Sequence, residues 1–128
     1  MFPVRGHGRE LLCVRAALLA FQRDLEARGL ADRVVVHVWS EFGRRAKENG
    51  SNGTDHGAAG AGFLIGSRVN GTMIGEFPGL AKLDEYGNLR ATSDFRGLYS
   101  SLAADWFGVD PAAVFGAGAR VARPRVVR

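Results

Sequence analysis

The sequence predicts an α/β fold, and three observations carry that prediction. Leucines recur every seven residues at Leu11, Leu18 and Leu25, inside a helical pattern running from about Arg9 to Arg28. An unbroken apolar run, Val34-Val35-Val36-His37-Val38-Trp39, comes next. A strand that is apolar on both faces belongs in the middle of a covered sheet. A second helical stripe, Phe95, Leu98, Tyr99, Leu102 and Trp106, lies further along. Helix, short link and buried strand in succession are the units of α/β domains.

Each element follows from local chemistry. In the first helix Leu12, Val14, Leu19 and Phe21 widen the leucine stripe, and Gly29 is a natural stop. Cys13 lies in the same pattern and is expected to pack as a small apolar residue. Asp32 and Arg33 lead into the strand. Ser40 to Gly60 reads as a long loop with a helical turn around Arg44 to Glu48. Its Asn49-Gly50 and Asn52-Gly53 pairs favour positive φ and tight turns. Loops of that length are uncommon unless they are functional or disordered. Gly62 to Gly66 reads as a short strand. Asn70-Gly71 suggests a turn into Thr72-Met73-Ile74. Leu83 to Ala91 reads as a turn around Tyr86-Gly87-Asn88. Thr92 or Ser93 is placed to cap the helix that runs to about Phe107. Asp110-Pro111 starts one more helical turn, with Asp as cap and Pro at the first position. The expected order is helix, central strand, long loop, short strands or hairpin, helix. Residues 1–116 form the domain and 117–128 a basic, disordered tail.

Composition sets outer bounds. A chain of 128 residues makes one domain at most. A hydrophobic content of 46% suffices for a modest core. No apolar run is long enough to span a bilayer. The N-terminal MFPVRGHGRELL has no signal-peptide pattern, so the chain reads as soluble. The single Cys13 forbids an internal disulfide. The net charge of +4 misleads, because four arginines (Arg120, Arg123, Arg125 and Arg128) lie in the last nine residues. Without them the remaining Lys and Arg equal the 13 Asp and Glu. A neutral body with no basic face or aromatic ladder argues against nucleic-acid binding.

Chemistry concentrates in SEFGRRAKENGSNGTDHG, Ser40 to Gly57. Glu41 stands where the apolar strand ends, and ligands of α/β proteins gather at the carboxyl ends of strands. Asp55-His56 follows in a glycine-bracketed loop, where both side chains can turn toward one ion. Carboxylate oxygen beside imidazole nitrogen suits a divalent metal. Other readings fail. Gly60-Ala61-Gly62 continues as a strand where a dinucleotide fingerprint needs a helix. There is no phosphate-binding GxxxxGK[ST] and no GxSxG elbow. The Asn-Gly-Ser/Thr triplets at Asn49, Asn52 and Asn70 read as turn chemistry rather than glycan acceptors. His37, inside the strand, reads as structural. His7, in Gly-His-Gly, reads as solvated.

Four stretches together carry a resemblance: AFQRDLEARGLADRVVVHVWSEFGRR, ENGSNGTDHG, GFLIGSRVNGTMIGEFPGL and LDEYGNLRATSDFRGLYSSLAADWFG. From about Leu11 to Phe115 the chain resembles the C-terminal part of the DUF1501 family of bacterial proteins. That family is placed in the alkaline phosphatase/sulfatase-like superfamily. Ser40-Glu41-Phe42-Gly43-Arg44 and Gly53-Thr54-Asp55-His56 are the most specific pieces. The resemblance implies a partial alkaline phosphatase-like fold and metal-assisted hydrolase ancestry, acting on phosphate or sulfate esters. It makes Glu41, Asp55 and His56 expected ligands of a divalent metal (zinc, manganese, calcium or magnesium). Glu41 stands in place of a metal-binding Asp, and Phe42 stands where relatives carry a His. Arg44 and Arg45 are the expected contacts of an anionic group, whose oxygens match the guanidinium fork.

The departures shape the expectation equally. The superfamily's Ser/Thr/Cys-derived nucleophile lies on an early strand with no counterpart here. An Asp-Thr-His-type segment expected before the first helix is replaced by MFPVRGHGRE. The chain is therefore expected to be a truncated or fragmentary member, inactive alone for want of an activated nucleophile. Its expected partners are a missing N-terminal half or a second copy. The alternative is a non-catalytic remnant or interaction module that pairs through open sheet edges. Relatives are often exported, so the compartment stays open.

Overall fold

The computed structural model describes residues 7–116 and 121–128, with side chains from Glu10 onward. Helix α1 spans His7–Ala27. It ends as its glycine demands: Gly29 takes φ 67°, which costs a residue without Cβ nothing. The Leu30 amide then donates to the Leu25 carbonyl at 2.8 Å, and the Gly29 amide to Glu26 at 3.1 Å. That pair of bonds is a Schellman closure, satisfying carbonyls the last turn would otherwise orphan. A 3-10 turn, Ala31–Arg33, leads on to β1, Val36–Val38.

The fold is mixed α/β, but β1 is not a central strand. It pairs antiparallel with β4, Phe63–Ile65, in the register Val36↔Ile65, His37↔Leu64, Val38↔Phe63. Among the described residues these two strands are the whole of their sheet. All three β1 residues are half-buried rather than buried. The apolar run has the composition of a covered strand, yet among the described residues it has one strand neighbour and an open edge. His37 packs edge-to-face on Tyr99, with ring centroids 5.7 Å apart, in keeping with a structural role.

The stretch read as a long loop is a second antiparallel pair, β2 (Gly43–Glu48) and β3 (Thr54–Gly57). No helical turn forms at Arg44 to Glu48. Consecutive side chains of a strand point to opposite faces, and the polar run Gly-Arg-Arg-Ala-Lys-Glu uses both faces against solvent or loop. Beyond β4, Thr72-Met73-Ile74 forms no strand. Instead the Asn70 amide donates to the Val126 carbonyl at 2.9 Å.

Helix α2, Phe95–Ser101, is capped by Asp94, whose carboxylate accepts from the Arg96 amide at 2.9 Å. The expected cap Thr92 is used elsewhere. Its hydroxyl donates to the Glu76 carbonyl at 2.7 Å and accepts from the Glu76 amide at 3.1 Å. The helix continues as a π-helical turn, Leu102–Trp106. Helix α3, Pro111–Phe115, has Asp110 as cap and Pro at its first position, as the sequence predicts.

The core centres on Leu102, Val126 and Val127, with Val35, Leu64, Leu98 and Trp106 packed around them. This corrects the reading of the tail. Val126 is 1% exposed and Val127 4%. Val127 bridges Val69, and the Arg128 amide donates to the Arg68 carbonyl at 3.0 Å. The Ser101 hydroxyl donates to the Pro124 carbonyl at 2.6 Å. A Cβ on Gly97 would overlap the Ala122 carbonyl oxygen. Two adjacent valines in an arginine-rich setting look solvated in sequence, but here they fill the gap between α2 and the Ser67–Asn70 segment. Arg120 and its neighbours 117–119 lie outside the described residues.

Most of α1 makes no such contacts. Leu25 is buried, whereas Leu11 is 68% and Leu12 58% exposed. Cys13, expected to pack, is also exposed. No helix among the described residues is long and apolar enough to cross a membrane.

Candidate functional site

The β2–β3 hairpin carries four of the five sequence-predicted site residues on its two strands, with Glu41 just ahead of β2. The register sets Gly43 opposite Gly57, Arg44 opposite His56 and Glu48 opposite Thr54, slipping between Arg44 and Glu48. The ends of the strands are close because two glycines permit it. A Cβ on Gly43 would overlap the Ala59 carbonyl, and one on Gly57 would meet the Arg44 backbone at 2.7 Å.

At the open end Phe42 organises the side chains. The His56 ring stacks on Phe42 with centroids 3.6 Å apart and planes 19° from parallel. The Arg44 guanidinium carbon lies 5.3 Å from the same ring centroid, within range of a cation–π contact. Arg44 also donates to the Thr54 carbonyl at 2.8 Å. The imidazole and guanidinium of a directly opposed strand pair thus share one aromatic ring. Both residues remain exposed.

The other end is built on Asn49. Its Oδ1 accepts from the Ser51 amide at 3.0 Å and the Gly53 amide at 3.1 Å. Its Nδ2 donates to Asp55 Oδ1 at 3.0 Å. Its backbone amide donates to Gly53 at 2.8 Å. An Asn side chain that imitates a backbone turn is the standard device for such a tip. Asn52 completes it at φ 57°, a left-handed conformation that Asn tolerates better than most residues.

This geometry bears on the metal reading. Asp55 and His56 are neighbours within β3 rather than in a free loop, so their side chains leave opposite faces of the ribbon. Asp55 is bonded toward the Asn49 tip, and His56 lies on Phe42. Glu41 is exposed ahead of β2. Among the described residues, no three His, Cys, Asp or Glu side chains are grouped to hold a metal. As folded, these residues do not form a complete ligand set on their own. Arg45 alternates to the face opposite Arg44. It is half-buried, and its Nε is buried without a hydrogen-bond partner. A buried unpartnered donor is costly, so among the described residues the Arg45 Nε stands out as a guanidinium nitrogen in want of an acceptor.

Sequence reasoning missed two participants. In sequence Phe42 reads only as a replacement for a histidine, yet His56 stacks on it and Arg44 lies over it. Asn49 reads as turn chemistry, and its side chain also holds Asp55. The signal for Asn49 lay in its spacing: an Asn followed four residues later by Gly53 and six later by Asp55.

No curated protein and no solved structure matches the chain. Residues 5–108 match the family described as "Protein of unknown function (DUF1501)". That span includes α1, both small sheets and α2, and so the whole Phe42–Arg44–His56 cluster. The chain therefore belongs to the DUF1501 family.

Proposed function

We propose that this DUF1501 chain is part of a metal-assisted hydrolase of the alkaline phosphatase/sulfatase-like superfamily. In this reading its hairpin supplies one wall of a phosphate- or sulfate-ester site. The observation that carries it is the opposed pair Arg44 and His56 seated on Phe42. A guanidinium fork matches the oxygens of a tetrahedral anion. An imidazole nitrogen is a common ligand of a divalent cation. Arg44 and Arg45, on the two faces of β2, are the proposed anion contacts. Glu41, Asp55 and His56 are proposed as part of the ligand set for zinc, manganese, calcium or magnesium, brought onto one ion by the rest of the protein rather than by this hairpin alone. The remaining ligands and the nucleophile come from outside these 128 residues, so the isolated chain holds metal weakly and turns over no ester. When bound, such a metal polarises the ester oxygen and lowers the nucleophile's pKa.

The test is metal content after dialysis of the purified chain against zinc, manganese, calcium or magnesium. The wild type should retain more metal than His56→Ala, and a phosphatase and sulfatase screen should be blank. Equal retention by the two proteins would remove the ligand assignment. Robust turnover surviving Asp55→Ala with His56→Ala would remove the reading altogether.

A second reading, a non-catalytic interaction module, is favoured by a different observation. Among the described residues each sheet has two strands, so each strand keeps an edge unpaired by them, and such edges invite pairing. Phe63 on β4 is 65% exposed. Sedimentation velocity discriminates: a mass that rises with concentration supports the module, and a monomer at every concentration counts against it.

A further inference from the structure

The three Asn-Gly pairs read as turn chemistry sit in three different environments, and the difference concerns reactivity. In an Asn-Gly pair the glycine amide nitrogen can attack the Asn side-chain carbon. A bond forms between that nitrogen and Cγ, the Cγ–Nδ2 bond breaks, and Nδ2 leaves as ammonia, taking up the proton that the glycine nitrogen gives up. Water then opens the resulting succinimide at either carbonyl, giving aspartate or isoaspartate. Glycine favours the step because it has no side chain to obstruct the approach. The step also needs an Asn side chain free to swing toward the next nitrogen.

Asn49 is not free. Its Oδ1 accepts two backbone amides and its Nδ2 donates to Asp55. Asn70 is half-buried, and its Nδ2 donates to the Arg125 carbonyl at 3.2 Å. Its backbone amide is tied to Val126 as well. Freeing Asn70 therefore means loosening the segment that carries Val126 and Val127. Asn52 is exposed at the hairpin tip, and its side chain is not among those held by hydrogen bonds in the described residues. One bond restrains its reaction: the Gly53 amide donates to Asn49 Oδ1 at 3.1 Å.

We infer that Asn52 is a selective deamidation site, and that the fold protects Asn49 and Asn70. The product matters because of where it forms. Asn52 lines the same open cleft at the hairpin tip as Arg44, Glu48 and Thr54. Deamidation adds one negative charge to that cleft. The isoaspartyl product also adds a backbone carbon to a turn whose register is set by Asn49. The modification is a slow chemical clock placed in the cleft that Arg44 also lines, and it stands independently of any ester chemistry.

The experiment is incubation of the full chain at 37 °C and mildly alkaline pH, followed by peptide mapping for the one-dalton gain and for isoaspartate. Asn52 should convert at least about tenfold faster than Asn49 or Asn70, as expected when one or more further hydrogen bonds must open first. In urea the three rates should converge. Asn52→Gly, which accepts a positive φ, should abolish the fast phase and leave the slow ones unchanged. Gly97→Ala, which disturbs the segment bonded to Asn70, should raise the Asn70 rate and leave Asn52 unaffected. Equal rates at the three sites in the folded chain, or a fast phase that survives Asn52→Gly, would overturn the assignment.

Discussion

Asp84 shows how a single side chain writes a turn and a pH dependence together. Its Oδ1 accepts from the Tyr86 amide at 2.9 Å and the Asn88 amide at 2.7 Å, and its Oδ2 from Asn88 Nδ2 at 2.9 Å. The Asn88 side-chain bond foremost, then the backbone bonds and the charge of Arg90, hold its carboxyl below the ordinary aspartate value. A depressed folded pKa means that the turn is supported above the unfolded value of about 3.9. That support is lost as pH falls through the folded value. Asp94 follows the same rule through Arg96. The amide resonances of Tyr86 and Asn88 should therefore titrate together at a midpoint below that of a free aspartate. Asp84→Ala should remove the transition. This turn was legible in the sequence because Asp, Gly and Asn stand at the required offsets. The Phe42–His56 stack was not, because nothing in a linear string says which ring a histidine will meet.

At the scale of elements, the C-terminal segment and α2 depend on each other. Alanine at Gly97 gains about 1 kcal/mol of helix propensity. It also drives a methyl into the Ala122 carbonyl, and overpacking costs about 1–3 kcal/mol. The clash wins, so Gly97→Ala should lower the urea midpoint. Val126→Ala should lower it too, by the equivalent of about 1.5–3 kcal/mol for a buried valine. If neither variant shifts the midpoint, the segment is not docked in solution. Regular elements with strong signals were readable: the heptad-spaced leucines and Gly29 fixed α1, and Asp110-Pro111 fixed α3. The β2–β3 hairpin was hidden because its strands lack the alternation that marks a half-buried strand. Its pairing comes instead from the Asn49 tip and from two glycines that allow close backbone approach. The docked valines were hidden because four arginines surround them in sequence and tertiary contact, not local pattern, decides their burial.

Across the whole molecule, packing is uneven. Burial concentrates around Leu102, Val126 and Val127, while Leu11, Leu12 and Val14 on α1 stay largely exposed. Local stability follows buried contact. Hydrogen exchange should therefore be fast over Leu11 to Ala17, slower near Leu25, and slowest over Leu98 to Ala103. Uniform protection along α1 would mean that its apolar face is covered in solution, by another copy or another segment. The same unevenness explains why the class was readable and the strand pairing was not. An α/β composition follows from periodicity, but the number of strands on either side of Val36–Val38 depends on what else is present to pair.

Trp106 packs against the core with the Arg68 guanidinium 5.2 Å from its ring, whereas Trp39 is 62% exposed. The chain thus carries two indole fluorophores with opposite surroundings. Detachment of the terminal valines should red-shift and quench the emission of one and leave the other nearly constant. With Trp39→Phe as background, the protein becomes its own optical gauge of whether its interior is closed.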